Sequence, residues 1–311
     1  MLRRTLLAAS SSRRLRRLAE RSRASRAVAG RFVAGDSLDD AVAVVVALNR
    51  DGAAVTLDLL GEDVESPEQA SAALVAYQQV IARLAQGDLD CSVSVKPSQF
   101  GLDLDPQAAA GLLRRLAEQA TTAGIHVTLD MEGSPTTSAI VDLTAMLTTE
   151  GLDVGCAVQA YLHRTPADVA RLTGAGSSLR ICKGAYAEDA AIAYQRRKDV
   201  RAAYLRLVDD VWRSDTYGRF ATHDDVLTDE IERRARERGI GRERFEFQLL
   251  HGVREPLARD LLARGNAVRI YVPFGTQWYP YYLRRLAERP ANLLFLGRAL
   301  VGRRASPGSR A

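Results

Sequence analysis

Residues 91–130 read CSVSVKPSQFGLDLDPQAAAGLLRRLAEQATTAGIHVTLD, and this stretch decides the fold. It opens on a short run rich in valine, 91–95, and closes on a second apolar run, 126–130. Runs this short, bounded by turn residues, suit strands buried in a parallel sheet. Between them, Asp105-Pro106 predicts a helix start: a capping side chain followed by a proline in the first turn, where its missing N–H costs nothing. Gly124 falls near the helix end, where a left-handed turn is useful. The unit is strand, helix, strand.

The same rhythm recurs along the chain. Apolar runs fall at 54–60, 91–95, 126–130, 154–159, 179–183, 219–222, 245–250 and 267–272. Ser66-Pro67-Glu68-Gln69 supplies a cap, an N1 proline and a capping-box glutamine, and Thr165-Pro166-Ala167-Asp168 repeats the device. Gly87, Gly151, Gly239 and Gly265 also fall near or after helix ends. Eight strands alternating with helices predict an α/β protein built on a closed (β/α)8 barrel of the TIM type. An open doubly wound sheet is the alternative, but no glycine-rich dinucleotide fingerprint follows the first strand. Residues 1–53 are expected to form a basic N-terminal arm and extra helices, 54–302 the catalytic barrel, and 303–311 a disordered tail.

With 311 residues, 47% of them hydrophobic, the chain can bury a large core. Its sequence pI of 9.3 invites a nucleic-acid reading, but the charge is uneven. Residues 1–31 carry ten arginines and one acid, Glu20, leaving 33 basic against 37 acidic residues in the body. The body is mildly acidic, and no nucleic-acid partner is expected. The arm has the Arg- and Ser-rich profile of a transit peptide, or of a basic amphipathic helix on an anionic membrane, with Leu15 and Leu18 among its apolar residues. A frayed, Arg-rich terminus is the plain alternative. The longest apolar run, 41–48, is far short of the ~20 residues of a bilayer span. Cys91, Cys156 and Cys182 are scattered, which fits a reducing, cytoplasmic setting, and the four histidines show no metal-ligand spacing.

Barrels carry their chemistry at the C-terminal ends of the strands. Here those ends present Lys96, Asp130, Glu132, Gln159, Tyr161, Arg180, Lys183, Tyr186, Thr222, His223, Asp224, His251 and Tyr271. A merely structural barrel does not need so many polar groups on one rim. The chain has three lysines, Lys96, Lys183 and Lys198, against 40 arginines, and two of the three sit at strand ends. Retaining a lysine where arginine is the habit suggests that a compact point charge or an amine is wanted. Beyond the last strand, Pro280 and Pro290 bound a short helix on which Tyr281, Arg284, Arg285 and Glu288 share one face. Two adjacent guanidinium groups, an acid and a phenol would make a fork for a small carboxylate.

Several segments together resemble the proline dehydrogenase family: Ser94-Val95-Lys96, Leu129-Asp130-Met131-Glu132, Val158-Gln159-Ala160-Tyr161 and the run from Leu179 to Tyr186. To these add Phe220-Ala221-Thr222-His223, the run from Phe247 to Gly252, Arg269-Ile270-Tyr271-Val272-Pro273 and the Tyr-x-x-Arg-Arg-x-x-x-Glu helix. They follow the family's order across roughly residues 50–300, and the compact length resembles its single-function bacterial form. The resemblance implies a distorted (β/α)8 barrel with FAD, oxidising L-proline to pyrroline-5-carboxylate by hydride transfer to flavin N5 and passing electrons to a membrane quinone. Carried over by motif, Lys96, Arg284 and Arg285 would bind the proline carboxylate. Tyr271, Tyr281, Leu250 and Tyr186 would shape the pocket, and Glu288 and Asp130 would orient arginines. Met131, Gln159, Arg180, Lys183, Gly184, Ala185, Thr222 and His223 match cofactor-binding positions, with Asp130 and Arg180 at the centre of the chemistry. Gly184 is expected to let the backbone approach the cofactor. Asp224 stands where many relatives carry Asn. No metal is implied. The arm could bring a cytoplasmic enzyme to the inner membrane face.

A different enzyme class remains open on the residues alone: a strand-end lysine, Lys96 or Lys183, could form a Schiff base as in barrel aldolases. That reading explains the lysines but not the paired arginines.

Overall fold

The structure, a computed structural model, describes residues 30–61, 64–279 and 281. The arm, the 303–311 tail, and Arg284, Arg285 and Glu288 lie outside the described residues. Among the described residues helix α1 (Leu38–Arg50) comes first, opened by a complete capping box: the Ser37 hydroxyl accepts from Asp40 N–H, and the Asp40 carboxylate accepts from Ser37 N–H. Strands and helices then alternate: β1 (Ala54–Leu59), α2 (Pro67–Leu84), β2 (Cys91–Val95), α3 (Pro106–Thr122), β3 (Val127–Leu129), α4 (Thr137–Thr149), β4 (Val154–Gln159) and α5 (Thr165–Gly174). They continue with β5 (Ser178–Cys182), α6 (Arg197–Arg213), β6 (Gly218–Ala221), α7 (Asp225–Arg238), β7 (Phe245–Leu250), α8 (Glu255–Ala263) and β8 (Ala267–Phe274). All neighbouring strands are parallel, and β8 pairs back onto β1, with Thr56 opposite Tyr271, so the sheet closes into a barrel.

The strands are not uniformly apolar inside and out. On β2, Val93 and Val95 join the apolar layer beneath the helices, whereas Ser92 and Ser94 turn inward. On β7, Phe245, Phe247 and Leu249 pack outward while Glu246 and Gln248 face the axis. The proof of the inward direction is reach: Arg180 on β5 bonds Ser94 on β2 and Gln248 on β7, which is possible only across the interior. Barrel interiors are ordinarily filled by branched apolar side chains. This one is filled by hydrogen-bonded polar groups, and the apolar layer between sheet and helices forms the main core.

Two helix starts differ from the sequence expectation. Ser66 caps α2 by accepting from Gln69 N–H, but the Gln69 side chain reaches past it to accept from Glu65 N–H. Thr165 does not cap α5: it is already helical, and its hydroxyl donates to the Gln159 carbonyl, 2.6 Å away. Asp105 behaves as expected, accepting from the N–H groups of Gln107 and Ala108.

Candidate active site

The inward polar side chains build a connected network at the C-terminal end of the barrel. Asp58, fully buried on β1, receives two hydrogen bonds from Lys96 Nζ at 2.7 and 2.9 Å. Burial pushes the Asp58 carboxyl above the usual carboxylate range, against the pull of the Lys96 ammonium and with a further push from Asp130. Asp130, just past β3, accepts from Arg180 Nη1 (2.7 Å) and Ser94 Oγ (2.7 Å) on one oxygen, and from the Tyr271 hydroxyl (2.7 Å) on the other. Burial and the carboxylates of Asp130 and Asp58 hold the Tyr271 phenol well above its ordinary value, so it stays a neutral donor. The Arg180 guanidinium also lies 5.3 Å from the centre of the Tyr271 ring.

Arg180 is the hub. It is 3% exposed, its Nε donates to Gln248 Oε1 at 2.6 Å, and Nη1 serves both Asp130 and Ser94. Its remaining nitrogen, Nη2, is buried with no hydrogen-bond partner among the described residues. A buried guanidinium nitrogen is rarely left in that state. Arg180 lines a cavity of about 580 Å³, within the size range of ligand sites.

That cavity collects Lys96, Asp130, Met131, Gln159, Arg180, Lys183, Gly184, Ala185, Tyr186, Thr222, His223, Leu250, Tyr271 and Tyr281. Every candidate residue within the described part of the chain is therefore on one wall or another of it. A second cavity of about 790 Å³ adjoins it and shares Lys183, Gly184, Tyr186, Arg197 and Asp224. At the junction Lys183 Nζ and Arg201 both bind Asp224, at 2.5 and 2.8 Å. Burial works upward on the Asp224 carboxyl, but these two cations outweigh it and hold it below the usual range. Gln159 bridges two loops, donating to the Glu132 carbonyl and accepting from Ala185 N–H. The His223 ring accepts from Leu250 N–H through Nε2 at 2.9 Å, which places any proton of the neutral ring on Nδ1.

Gly184 also has a local reason within the fold. Its φ is +119°, and an added Cβ would come within 2.2 Å of the Tyr161 ring, so the glycine makes room for Tyr161. Two other strand-end residues serve elsewhere: Glu132 accepts from the backbone and hydroxyl of Ser98, and His251 is not among the cavity-lining residues, where β7 sends Gln248 and Leu250 instead. The sequence reading missed Asp58, Ser94 and Gln248. Their signal was the alternation in VTLDL, CSVSVK and FEFQLL, in which polar residues recur at every second place.

Among the described residues no three His, Cys, Asp or Glu side chains gather as metal ligands, and no helix is long and apolar enough to cross a membrane. The profile of the proline dehydrogenase family matches residues 41–298. Proline dehydrogenase 1 of Bacillus subtilis subsp. natto is 34% identical, over 97% of this chain and 99% of its own length. Proline dehydrogenase of Deinococcus radiodurans is 37% identical, over 88% of this chain and 90% of its own. Among solved structures, proline utilization A from Bdellovibrio bacteriovorus superposes with a TM-score of 0.79 at 23% identity, over 91% of this chain and 34% of that one. The chain belongs to the proline dehydrogenase family and is an oxidoreductase.

Proposed function

We propose that the chain oxidises L-proline to pyrroline-5-carboxylate with bound FAD and delivers the electrons to a membrane quinone. The observation that carries the cofactor assignment is Arg180: a buried cation on the cavity wall, held on two nitrogens, with no described partner on Nη2. A flavin suits that cation in chemistry, because its pyrimidine edge offers acceptor atoms and gains negative charge on reduction. Gln159, Lys183, Gly184, Ala185, Met131, Thr222 and His223 would hold the same group, the two adjoining cavities suiting an elongated dinucleotide.

When bound, the flavin supplies the acceptor for a hydride from the ring carbon beside the proline nitrogen. The chain's own residues do the rest. Lys96, with Arg284 and Arg285 from beyond the described residues, would bind the carboxylate, and Glu288 would steady that pair. Tyr271, Tyr281, Leu250 and Tyr186 would enclose the ring and exclude water. The proline nitrogen must be neutral to release a hydride, and the cations around the cavity favour loss of its proton. Against a Schiff-base aldolase, Lys96 is tied to Asp58 and Lys183 to Asp224 as ion pairs, the non-nucleophilic form of an amine.

The domain division follows the same reading: a basic arm, a catalytic barrel, and a tail. Residues 34 and 35 lie against the C-terminal rim, where Ala34 N–H donates to the Pro273 carbonyl and Gly275 N–H to the Gly35 carbonyl. The described chain thus enters beside the mouth of the site, and the arm would join it there. Resting on an anionic inner membrane face, it would turn that mouth toward the quinone. The deciding experiment is the visible spectrum of the purified protein before and after anaerobic L-proline. Flavin bands that bleach support the reading, and a protein that stays colourless after incubation with FAD removes it.

A further inference from the structure

We infer that Glu246, which does not line the cavity, positions Arg180 for the cofactor by dictating how the Gln248 amide is turned. The inference rests on the flavin reading above. Glu246 sits on β7 one inward step below Gln248 and is 3% exposed. Its Oε1 accepts from Gln248 Nε2 at 2.6 Å, while Gln248 Oε1 accepts from Arg180 Nε at 2.6 Å. Arg269 holds the carboxylate from the other side, with Nε at 2.9 and 3.1 Å from the two oxygens. Arg219 stands 3.8 Å off and the Tyr217 hydroxyl 3.4 Å off.

The logic is one of donors and acceptors. Arg180 Nε can only donate. Burial pushes the Glu246 carboxyl upward, but Arg269 and Arg219 more than offset this and keep it below the usual range, so it is ionised and can only accept. An amide placed between an obligate donor and an obligate acceptor has one satisfied orientation: oxygen to Arg180, nitrogen to Glu246. That orientation anchors Nε, Asp130 and Ser94 anchor Nη1, and Nη2 is left pointing where neither anchor is. Without an anion at 246, the amide can turn its NH2 toward Arg180. Two donors then face each other, and the guanidinium moves off its aim. Glu246 touches neither substrate nor cofactor. It is a positioning residue acting through Gln248.

The flavin midpoint potential separates this role from a plain charge effect, because the two have opposite signs. If Glu246 acts only as a buried negative charge beneath the site, Glu246→Gln makes reduction easier and raises the potential. If it positions Arg180, the variant withdraws a cation from the group that becomes negative, and the potential falls. The experiment is an anaerobic spectral titration of the flavin-loaded enzyme against a reference dye, with steady-state kinetics alongside. The expected result for Glu246→Gln is a lowered potential and a kcat reduced by about tenfold to a hundredfold, with KM for proline changed by no more than about twofold. An unchanged or raised potential overturns the proposal. Gln248→Met cuts the same relay while leaving the Glu246–Arg269 pair in place, so it serves if Glu246→Gln does not fold. It should lower the potential too, and an unchanged or raised value there is equally fatal. A wild-type protein without flavin sinks the flavin reading and this inference together. A wild type that bleaches normally beside variants that show no fall sinks the relay alone.

Discussion

Replacing Lys96 by Met tests the pairing at the top of the barrel interior. Methionine keeps the length and apolar stem of lysine and removes only the ammonium that Asp58 holds at 2.7 and 2.9 Å. Asp58 is fully buried, so its charge has no water to fall back on. Removing one partner of such a pair costs about 3–5 kcal/mol. At ~2 °C per kcal/mol for a chain of this size, Tm should drop by roughly 6–10 °C at neutral pH. The sign of the pH dependence follows from the carboxyl. Its value is already raised in the folded state by burial, and losing the opposing ammonium raises it further. The native state then binds more protons than the unfolded chain, so stability is present at low pH and is lost as pH rises from near 4 toward the raised folded value. The deficit relative to wild type should therefore be small at about pH 5 and large at about pH 8. Thermal unfolding by circular dichroism would measure it for Lys96→Met, Asp58→Asn and the double variant. Asn leaves no charge stranded, so the double variant should recover most of the loss. Equal deficits at both pH values, or losses that simply add in the double variant, would refute the reasoning.

His126 gives the opposite slope at the far end of the barrel: burial pushes its imidazole down to about 4, although the Asp153 carboxylate accepts from Nδ1–H at 2.7 Å. Folded below unfolded means stability present above about pH 6.5 and lost as pH falls toward 4, on the order of 2–3 kcal/mol. His126→Asn should remove that slope from the Tm–pH curve, and a difference curve that stays flat between about pH 7 and 4.5 contradicts the assignment. Gly184→Ala combines a strained φ with collision against Tyr161, while Gly52→Ala has φ +86° and nothing within 4 Å. The Gly52 variant should lose about 1 kcal/mol and the Gly184 variant clearly more, with reduced flavin occupancy in the latter alone. Equal Tm losses at the two positions would show that the Tyr161 contact costs nothing.

The strands were legible because each is a short apolar run ended by a turn, and their number pointed to closure. Three of the eight runs, 91–95, 154–159 and 245–250, match their strands at both ends, and 54–60 and 267–272 share their starts. The rim was legible through the rule that strand ends carry chemistry. The interior was not, since a buried parallel strand is expected to be apolar on both faces. Asp58 was hidden for that reason inside a run read as uniformly apolar. Two of the partners of Arg180 are Ser94, 86 residues earlier, and Gln248, 68 residues later, and no local spacing links them. Thr165 shows a different limit: its hydroxyl found the Gln159 carbonyl, a tertiary acceptor that cap statistics do not weigh.

Filling a barrel with charge is costly unless each charge is paired, and the alternation of the strands is what makes the pairing possible. Outward positions such as Val93, Ile181 and Phe247 are fully buried against the helices and supply the hydrophobic stabilisation. Inward positions are thereby freed from a packing duty and can be chosen for chemistry. Along the axis Lys96 meets Asp58, Arg180 meets Asp130, and Arg269 meets Glu246. Arg219 reaches the same Glu246 from 3.8 Å, and burial lowers its guanidinium value, as expected of a cation without a carboxylate of its own. The exposed Asp90 also binds Arg269, at 3.2 Å, so four cations meet four carboxylates along this ladder. A buried cation is unfavourable by itself, and pairing across the interior is what lets the barrel hold four of them away from water.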